Sequence, residues 1–258
     1  MRILISNDDG IQAEGLHALH DELAQFAEVW VVAPDREQSA TSHSITLQRP
    51  LRIKELRPRW YQVDGTPTDC VYVALNHLMR DAKPDVVCAG INHGPNVGND
   101  VLYSGTVAAA MEAASLEVSS IAFSLAAGLD FRQAARFAAL LTRETAGRPL
   151  PAGTLLNVNI PGNSSSAFAV THLGKRSYGS SVVEKVDPRG RLYYWIGGGE
   201  AQYDDIPGSD CNAVFGDGLI SITLLNLDMT DHPLLGSLRG WQVPGFELSQ
   251  AKSYSGER

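Results

Sequence analysis

The chain has 258 residues, 44% of them apolar and 19% charged, which suits one large domain, or one domain plus a sizeable appendage, and excludes a disordered tail. At this length it buries enough surface to fold without disulfides or a structural metal. Its 21 Lys and Arg against 29 Asp and Glu leave a net charge of −8, which repels nucleic-acid duplexes, anionic membranes and phosphorylated small molecules unless a local site reverses the field.

In chain order, Ile3–Ser6 reads as a compact strand, and Glu14–Phe26 places Leu16, Leu19, Leu23 and Phe26 on one helical face. Val29–Ala33 is the next strand, ended by Pro34. Ser44–Leu56 and Trp60–Val63 look like extra antiparallel strands, and Pro67–Met79 is helical. Asp85–Ala89 is a strand, Ser104–Leu116 an Ala-rich helix, Ser119–Phe123 a strand, Phe131–Thr145 a helix and Thr154–Ile160 a further strand. This alternation predicts an α/β fold, a mostly parallel sheet with helices on both faces. After Pro161 the pattern changes. Gly162–Ser166 is a loop, and Val182–Val186 and Leu192–Ile196 flank the turn residues Asp187-Pro188-Arg189-Gly190, which predicts a hairpin. Gly216–Leu227 holds one more strand, and Pro233–Arg239 is a short helix. The expected division is an α/β core over 1–160 and a β-rich extension over 161–258. Tyr193, Tyr194 and Trp195 on the hairpin serve either a local core or a contact with another subunit.

Cys70, Cys88 and Cys211 are odd in number and lack any CxxC pair, so buried apolar roles in a reducing compartment are expected. The apolar run before Asp8 is too short for a signal peptide, and no run of about 18 apolar residues occurs, so a cytoplasmic location is expected.

The strongest chemical signal is Asn7-Asp8-Asp9-Gly10 directly after the first strand. Ligands of open parallel sheets bind where strands end at their carboxyl edge. Two adjacent carboxylates there repel each other, and a hard cation such as Mg²⁺, Mn²⁺ or Ca²⁺ relieves that repulsion. Adjacent residues on an extended segment point opposite ways, so both reach one ion only if Gly10 lets the chain turn. The competing reading is a helix cap in a solvated acidic turn. Two clusters from the same edge favour a site: the hydroxyl-rich Pro34–Ser44, and Gly90–Gly98 leading to Ser104-Gly105-Thr106. The last three residues open a helix, and its N–H groups and dipole favour phosphate. The chain lacks a GxxxxGK P-loop, a GxGxxG turn after the first strand, a GxSxG elbow and a DxD pair, which disfavours nucleoside-triphosphate P-loop enzymes, dehydrogenases, α/β-hydrolases and haloacid-dehalogenase-type phosphatases.

Ser6-Asn7-Asp8-Asp9-Gly10, Val32-Ala33-Pro34-Asp35-Arg36 with Ser39, Gly65-Thr66-Pro67-Thr68-Asp69-Cys70, Gly90-Ile91-Asn92 with Gly94-Pro95-Asn96, and Tyr103–Glu112 together resemble the SurE family of survival proteins. Leu192–Gly197 and Asp217–Thr223 extend the likeness into the second half. The resemblance implies a divalent-metal-dependent nucleotidase acting on nucleoside 5′- and 3′-monophosphates, with short polyphosphate a further substrate. It also implies a Rossmann-like core and a C-terminal portion exchanged between subunits of a homodimer or homotetramer. One divalent metal ion per subunit would be held by Asp8, Asp9, Ser39 and Asn92, and the phosphate by Asn96, Ser104, Gly105 and Thr106. Ala40 and His43 depart from the Gly and Asn usual in the family's loop.

The expected reaction is metal-assisted phosphomonoester hydrolysis, with Asp8 or Asp9 as the catalytic carboxylate. Attack by a water oriented by one of them is preferred over direct carboxylate attack. His43 and His93 lie in the same loops as alternatives for protonating the leaving oxygen, against plain loop roles. Arg36 either steers phosphate or makes a surface ion pair. The alternatives from other classes are a non-catalytic module that binds nucleotide or metal, and a subunit whose β-rich half recruits partners.

Overall fold

The computed structural model describes residues 1–128, 130–162, 166–179, 182–197 and 201–247, so most of the loop expected at Gly162–Ser166 lies outside the described residues. Two compact units, Met1–Leu227 and Asp228–Arg258, account for the chain.

In the first unit, β1 (Arg2–Ser6), α1 (Glu14–Leu23), β2 (Glu28–Pro34), β3 (Ile53–Arg57), β4 (Trp60–Val63), α2 (Pro67–Val73) and β5 (Val86–His93) make the first half of the core. They are followed by α3 (Gly105–Ser115), β6 (Ser120–Leu125), α4 (Phe131–Gly147), β7 (Thr154–Ile160) and β8 (Phe168–Thr171). Next come β9 (Arg176–Tyr178), β10 (Val182–Val186), β11 (Leu192–Ile196), β12 (Ala201–Tyr203) and β13 (Ile220–Asn226). Nine strands form one sheet in the order β3-β4-β2-β1-β5-β6-β7-β13-β8. From β4 to β7 every neighbouring pair is parallel. β3 pairs antiparallel to β4, and β13 pairs antiparallel to β7 and parallel to β8. The expected Rossmann-like, mostly parallel architecture is present, and residues beyond 160 contribute two of its strands.

Alternation along β1 divides the interior. Ile3 and Ile5 join Leu16, Leu19 and Leu23 of α1 and Ala134, Ala135 and Ala138 of α4 on one face. Leu4 points the other way, toward Cys70 and Val71 of α2 and Val107, Ala109 and Ala110 of α3. Each fully buried leucine contributes on the order of 1.5–3 kcal/mol of transfer free energy. The alanines of α3 let that helix lie close to the sheet, which brings its N-terminus to the end of β1. All three cysteines are free and buried.

Two expectations change. Only Ile53–Arg57 of the segment Ser44–Leu56 becomes a strand. The residues before it give their backbone groups to side chains instead: Thr66 Oγ1 donates to Ser44 O at 2.7 Å, and Thr46 N–H donates to Asp69 Oδ1 at 2.8 Å. Asp69 and Thr66 also form the capping box of α2. The strand expected to end at Ala89 runs on to His93, through a bulge that sets Asn92 opposite Ser124 after Ala89 opposite Ala122.

β10 and β11 form the predicted hairpin, in register from Val182↔Ile196 to Val186↔Leu192. Asp187 closes its turn, accepting from Arg189 N and Arg191 N at 2.8 and 2.9 Å. In the second unit, a turn at His232–Leu234 leads into α5 (Leu235–Leu238), and Asp228 Oδ2 lies 2.6 Å from His232 Nε2. No helix among the described residues is long and apolar enough to cross a membrane.

Candidate active site

The turn after β1 does what its sequence suggests. Asn7 Nδ2 donates to Gly10 O at 2.8 Å, Ile11 N–H donates to Pro34 O at 2.9 Å, and Gly10 takes a φ of 93° that a side chain would resist. Asp8 and Asp9, neighbours in sequence, therefore line the same cavity of about 530 Å³.

Asp8 is 5% exposed and packs against the start of α3, where the Thr106 hydroxyl donates to its Oδ1. Gly105 makes that approach feasible, because a Cβ there would stand 2.8 Å from Asp8 Cβ. Burial pushes the Asp8 carboxyl up to about 6; the Thr106 hydrogen bond opposes this, and the Asp9 charge adds to it. Burial also raises Asp9, the Glu37 charge raises it further, and the His93 backbone N–H, donating to Asp9 Oδ2 at 3.2 Å, pulls it down.

The loop after β2 is pinned at several points. Gln38 N–H donates to Asp8 O at 2.7 Å, and Ser42 N–H donates to Tyr103 O at 3.1 Å. Between them Ala40 and Ser42 adopt φ values of 56° and 53°, left-handed geometry that costs a non-glycine residue about 1 kcal/mol and needs such anchors. The Ser39 hydroxyl donates to Glu37 Oε1 at 2.8 Å, so its lone pairs remain for a ligand. His43 Nε2 lies 2.8 Å from Glu112 Oε2 of α3, and His43 is not among the residues lining the cavity, whereas His93 is.

From β5, Asn92 Nδ2 donates to Gly94 O at 2.8 Å, which leaves Oδ1 as its ligand atom. Asn96 is held by the sheet: its N–H donates to Asn159 Oδ1 at 2.7 Å, its Nδ2 to Ser124 Oγ at 2.8 Å, and its carbonyl accepts from Asn157 and Asn159. Ser104 caps α3, its Oγ accepting from Val107 N–H at 3.0 Å, and lines the cavity. Thr106 is fully buried and its hydroxyl donates to Asp8, so the side chain braces that carboxylate. Arg36 pairs with Asp35 at 3.3 Å.

Sequence reasoning did not find Asp100 or Tyr178, and included Glu37 and Tyr103 only within longer motifs; all four line the cavity. Tyr178 comes from β9, more than a hundred residues beyond Asp9, and no local pattern announces that meeting. Among the described residues the lining holds four carboxylates, Asp8, Asp9, Glu37 and Asp100, and no Lys or Arg.

The donor set fits a hard divalent cation. Asp8, Asp9, Ser39 and Asn92 offer only oxygen atoms into one cavity, and the two carboxylates are disfavoured as anions until a positive charge joins them. Among the described residues no group of three His, Cys, Asp or Glu side chains could hold a metal, so a cation here would rest on two carboxylates with a hydroxyl and an amide.

A model of the family described as Survival protein SurE matches residues 3–180. The chain is 61% identical over 254 residues to a protein from Anaeromyxobacter dehalogenans named 5′-nucleotidase SurE, covering 97% of this chain and 100% of that one. Proteins of the same name from Myxococcus xanthus and Vibrio cholerae are 59% and 49% identical, covering 95% and 93% of this chain and 95% and 97% of their own. The crystal structure of the Sure protein from Aquifex aeolicus superimposes with a TM-score of 0.82 at 36% identity, covering 93% of this chain and 98% of that one.

Proposed function

This chain belongs to the SurE family, and from that premise we propose that it is a 5′-nucleotidase that hydrolyses nucleoside monophosphates to nucleoside and phosphate with a divalent cation bound. One observation carries the metal dependence. A phosphate dianion entering a cavity lined by four carboxylates and no Lys or Arg is repelled unless a cation reverses the local field.

Asp8, Asp9, Ser39 and Asn92 would hold that ion. When bound, it supplies Lewis-acid polarisation of a phosphoryl oxygen and offsets the charge of the carboxylates. Asp8, braced by Thr106 and Gly105, fixes one side of the site. Asp9 is the more open carboxylate; anchored at Oδ2 by the His93 N–H, it would orient the attacking water beside the ion it helps to hold and take its proton. The second amide N–H of Asn96 and the cap at Ser104 hold the remaining phosphoryl oxygens, presenting phosphorus for in-line attack. The His93 ring, at the cavity wall, is placed to protonate the departing oxygen.

Activity on 3′-monophosphates and short polyphosphate, and assembly as a homodimer or homotetramer through the 161–258 extension, belong to the same reading. Phosphate release from a nucleoside monophosphate panel tests it, after EDTA and with Mg²⁺, Mn²⁺ or Ca²⁺ restored. Metal-dependent release is expected; tight nucleotide binding without release under any metal would sink it.

A further inference from the structure

The cavity has a second end that phosphate chemistry does not use. Tyr103 directly precedes the Ser104 cap and is 61% exposed, and Tyr178 of β9 is 49% exposed, yet both line the cavity beside Asp8 and Asp9. Tyr178 is not a loose surface ring. Its hydroxyl donates to Asp100 Oδ2 at 2.5 Å, and the same oxygen accepts from Arg176 Nη1 at 2.8 Å. The Asp100 and Arg176 side chains are largely buried, and the Arg176 guanidinium sits over the Tyr178 ring, 5.1 Å from its centroid. Aromatic rings exposed in an otherwise acidic cavity lose apolar contact with nothing in return, unless a flat apolar ligand covers them.

We propose that Tyr103 and Tyr178 form the nucleoside end of the cavity, stacking on the base of a nucleotide whose phosphate lies at Ser104 and the Asp8–Asp9 pair. This rests on the nucleotidase reading above and extends it to the side chains that hold the base. Arg176 packs over the Tyr178 ring. The Asp100–Arg176 pair thereby becomes a positioning device for that ring.

The test compares AMP with ribose 5-phosphate, which keeps the sugar and phosphate but lacks the base. Y103A and Y178A are expected to raise KM for AMP by about 5- to 150-fold, the loss of one stacked face, while KM for ribose 5-phosphate stays put. Y178F keeps the ring but loses its bond to Asp100, and is expected to fall between the parent chain and Y178A for AMP. Tyr103 makes no side-chain hydrogen bond among the described residues, so Y103A reads stacking even if Y178A disturbs β9. An unchanged KM for AMP in both alanine variants, or an equal rise for ribose 5-phosphate, overturns the inference. A parent chain that releases phosphate from neither compound counts against the nucleotidase reading instead. AMP titration calorimetry on the same variants then still decides the stacking, with an unchanged Kd refuting it.

Discussion

The carboxyl edge of the sheet and the β10–β11 hairpin are opposite solutions to placing side chains. At the edge, Asp8, Ser39, Asn92, Asn96 and Ser104 each have a partner reached across the fold or along a pinned loop. On the hairpin all five residues of each strand are exposed, including Val182, Val186, Tyr194, Trp195 and Ile196. The hairpin is written locally, by a turn that Asp187 closes and by β-branched and aromatic strands. The edge combines such local bonds with contacts between residues far apart, Thr106 with Asp8 and Asn96 with Ser124. A two-stranded ribbon with bare apolar faces is marginal alone, which fits the proposed assembly through this segment.

Substitutions at the edge should therefore be severe and those on the hairpin mild for the single chain. The largest effect is expected from Asp9→Asn, which removes the proposed base: phosphate release should fall by about 10²- to 10⁴-fold with the fold retained by circular dichroism. Near-parental turnover would move the base to another group.

Asp69→Ala comes next. It deletes the α2 capping box and both Thr46 bonds that hold the Ser39 loop. Urea unfolding should show a loss of about 2–4 kcal/mol, and calorimetric titration a weaker affinity for the metal. Unaltered metal affinity would show that the loop keeps its shape without that clamp.

Asp8→Asn should inactivate the enzyme yet stabilise it when metal-free. The Asp8 carboxyl is raised from 3.8 to about 6 in the folded chain, so above pH 6 both states are ionised and the folded one carries the whole burial cost. That cost is up to about 3 kcal/mol. As pH falls from 6 towards 3.8 the folded form takes up its proton first and the cost is relieved, so the advantage of Asn should be full above pH 6 and gone below pH 4. Chemical unfolding of EDTA-treated protein across that range measures it, and an advantage independent of pH would assign the gain elsewhere.

The smallest change in chain stability is expected on the hairpin. Tyr194→Ser with Trp195→Ser should alter unfolding of the single chain by less than about 0.5 kcal/mol per site. Light scattering should nonetheless report a smaller assembly. An unchanged mass would leave these side chains without a partner surface.

Much of this molecule was legible before any coordinates. Local periodicity marked the strands and helices from β1 to β7, because a buried face repeats at the spacing of its element. Gly10 after two aspartates marked the turn, and Asp187–Gly190 marked the hairpin, because turn chemistry involves few neighbours. The resemblance supplied Ser39 and Asn92, which the spacing of residues did not single out among nearby oxygens.

Tertiary structure alone decided the rest. The bulge in β5 that carries the strand on to His93, the loss of Ser44–Arg52 from the sheet to the α2 cap, and the turning of Thr106 onto Asp8 all depend on competition between partners distant in sequence. So does the meeting of Tyr178 with Asp100 and the raised carboxyl of Asp8. Periodicity reports which side of an element is buried; which groups meet there, and what charge they can bear, is set by the contacts that close the cavity.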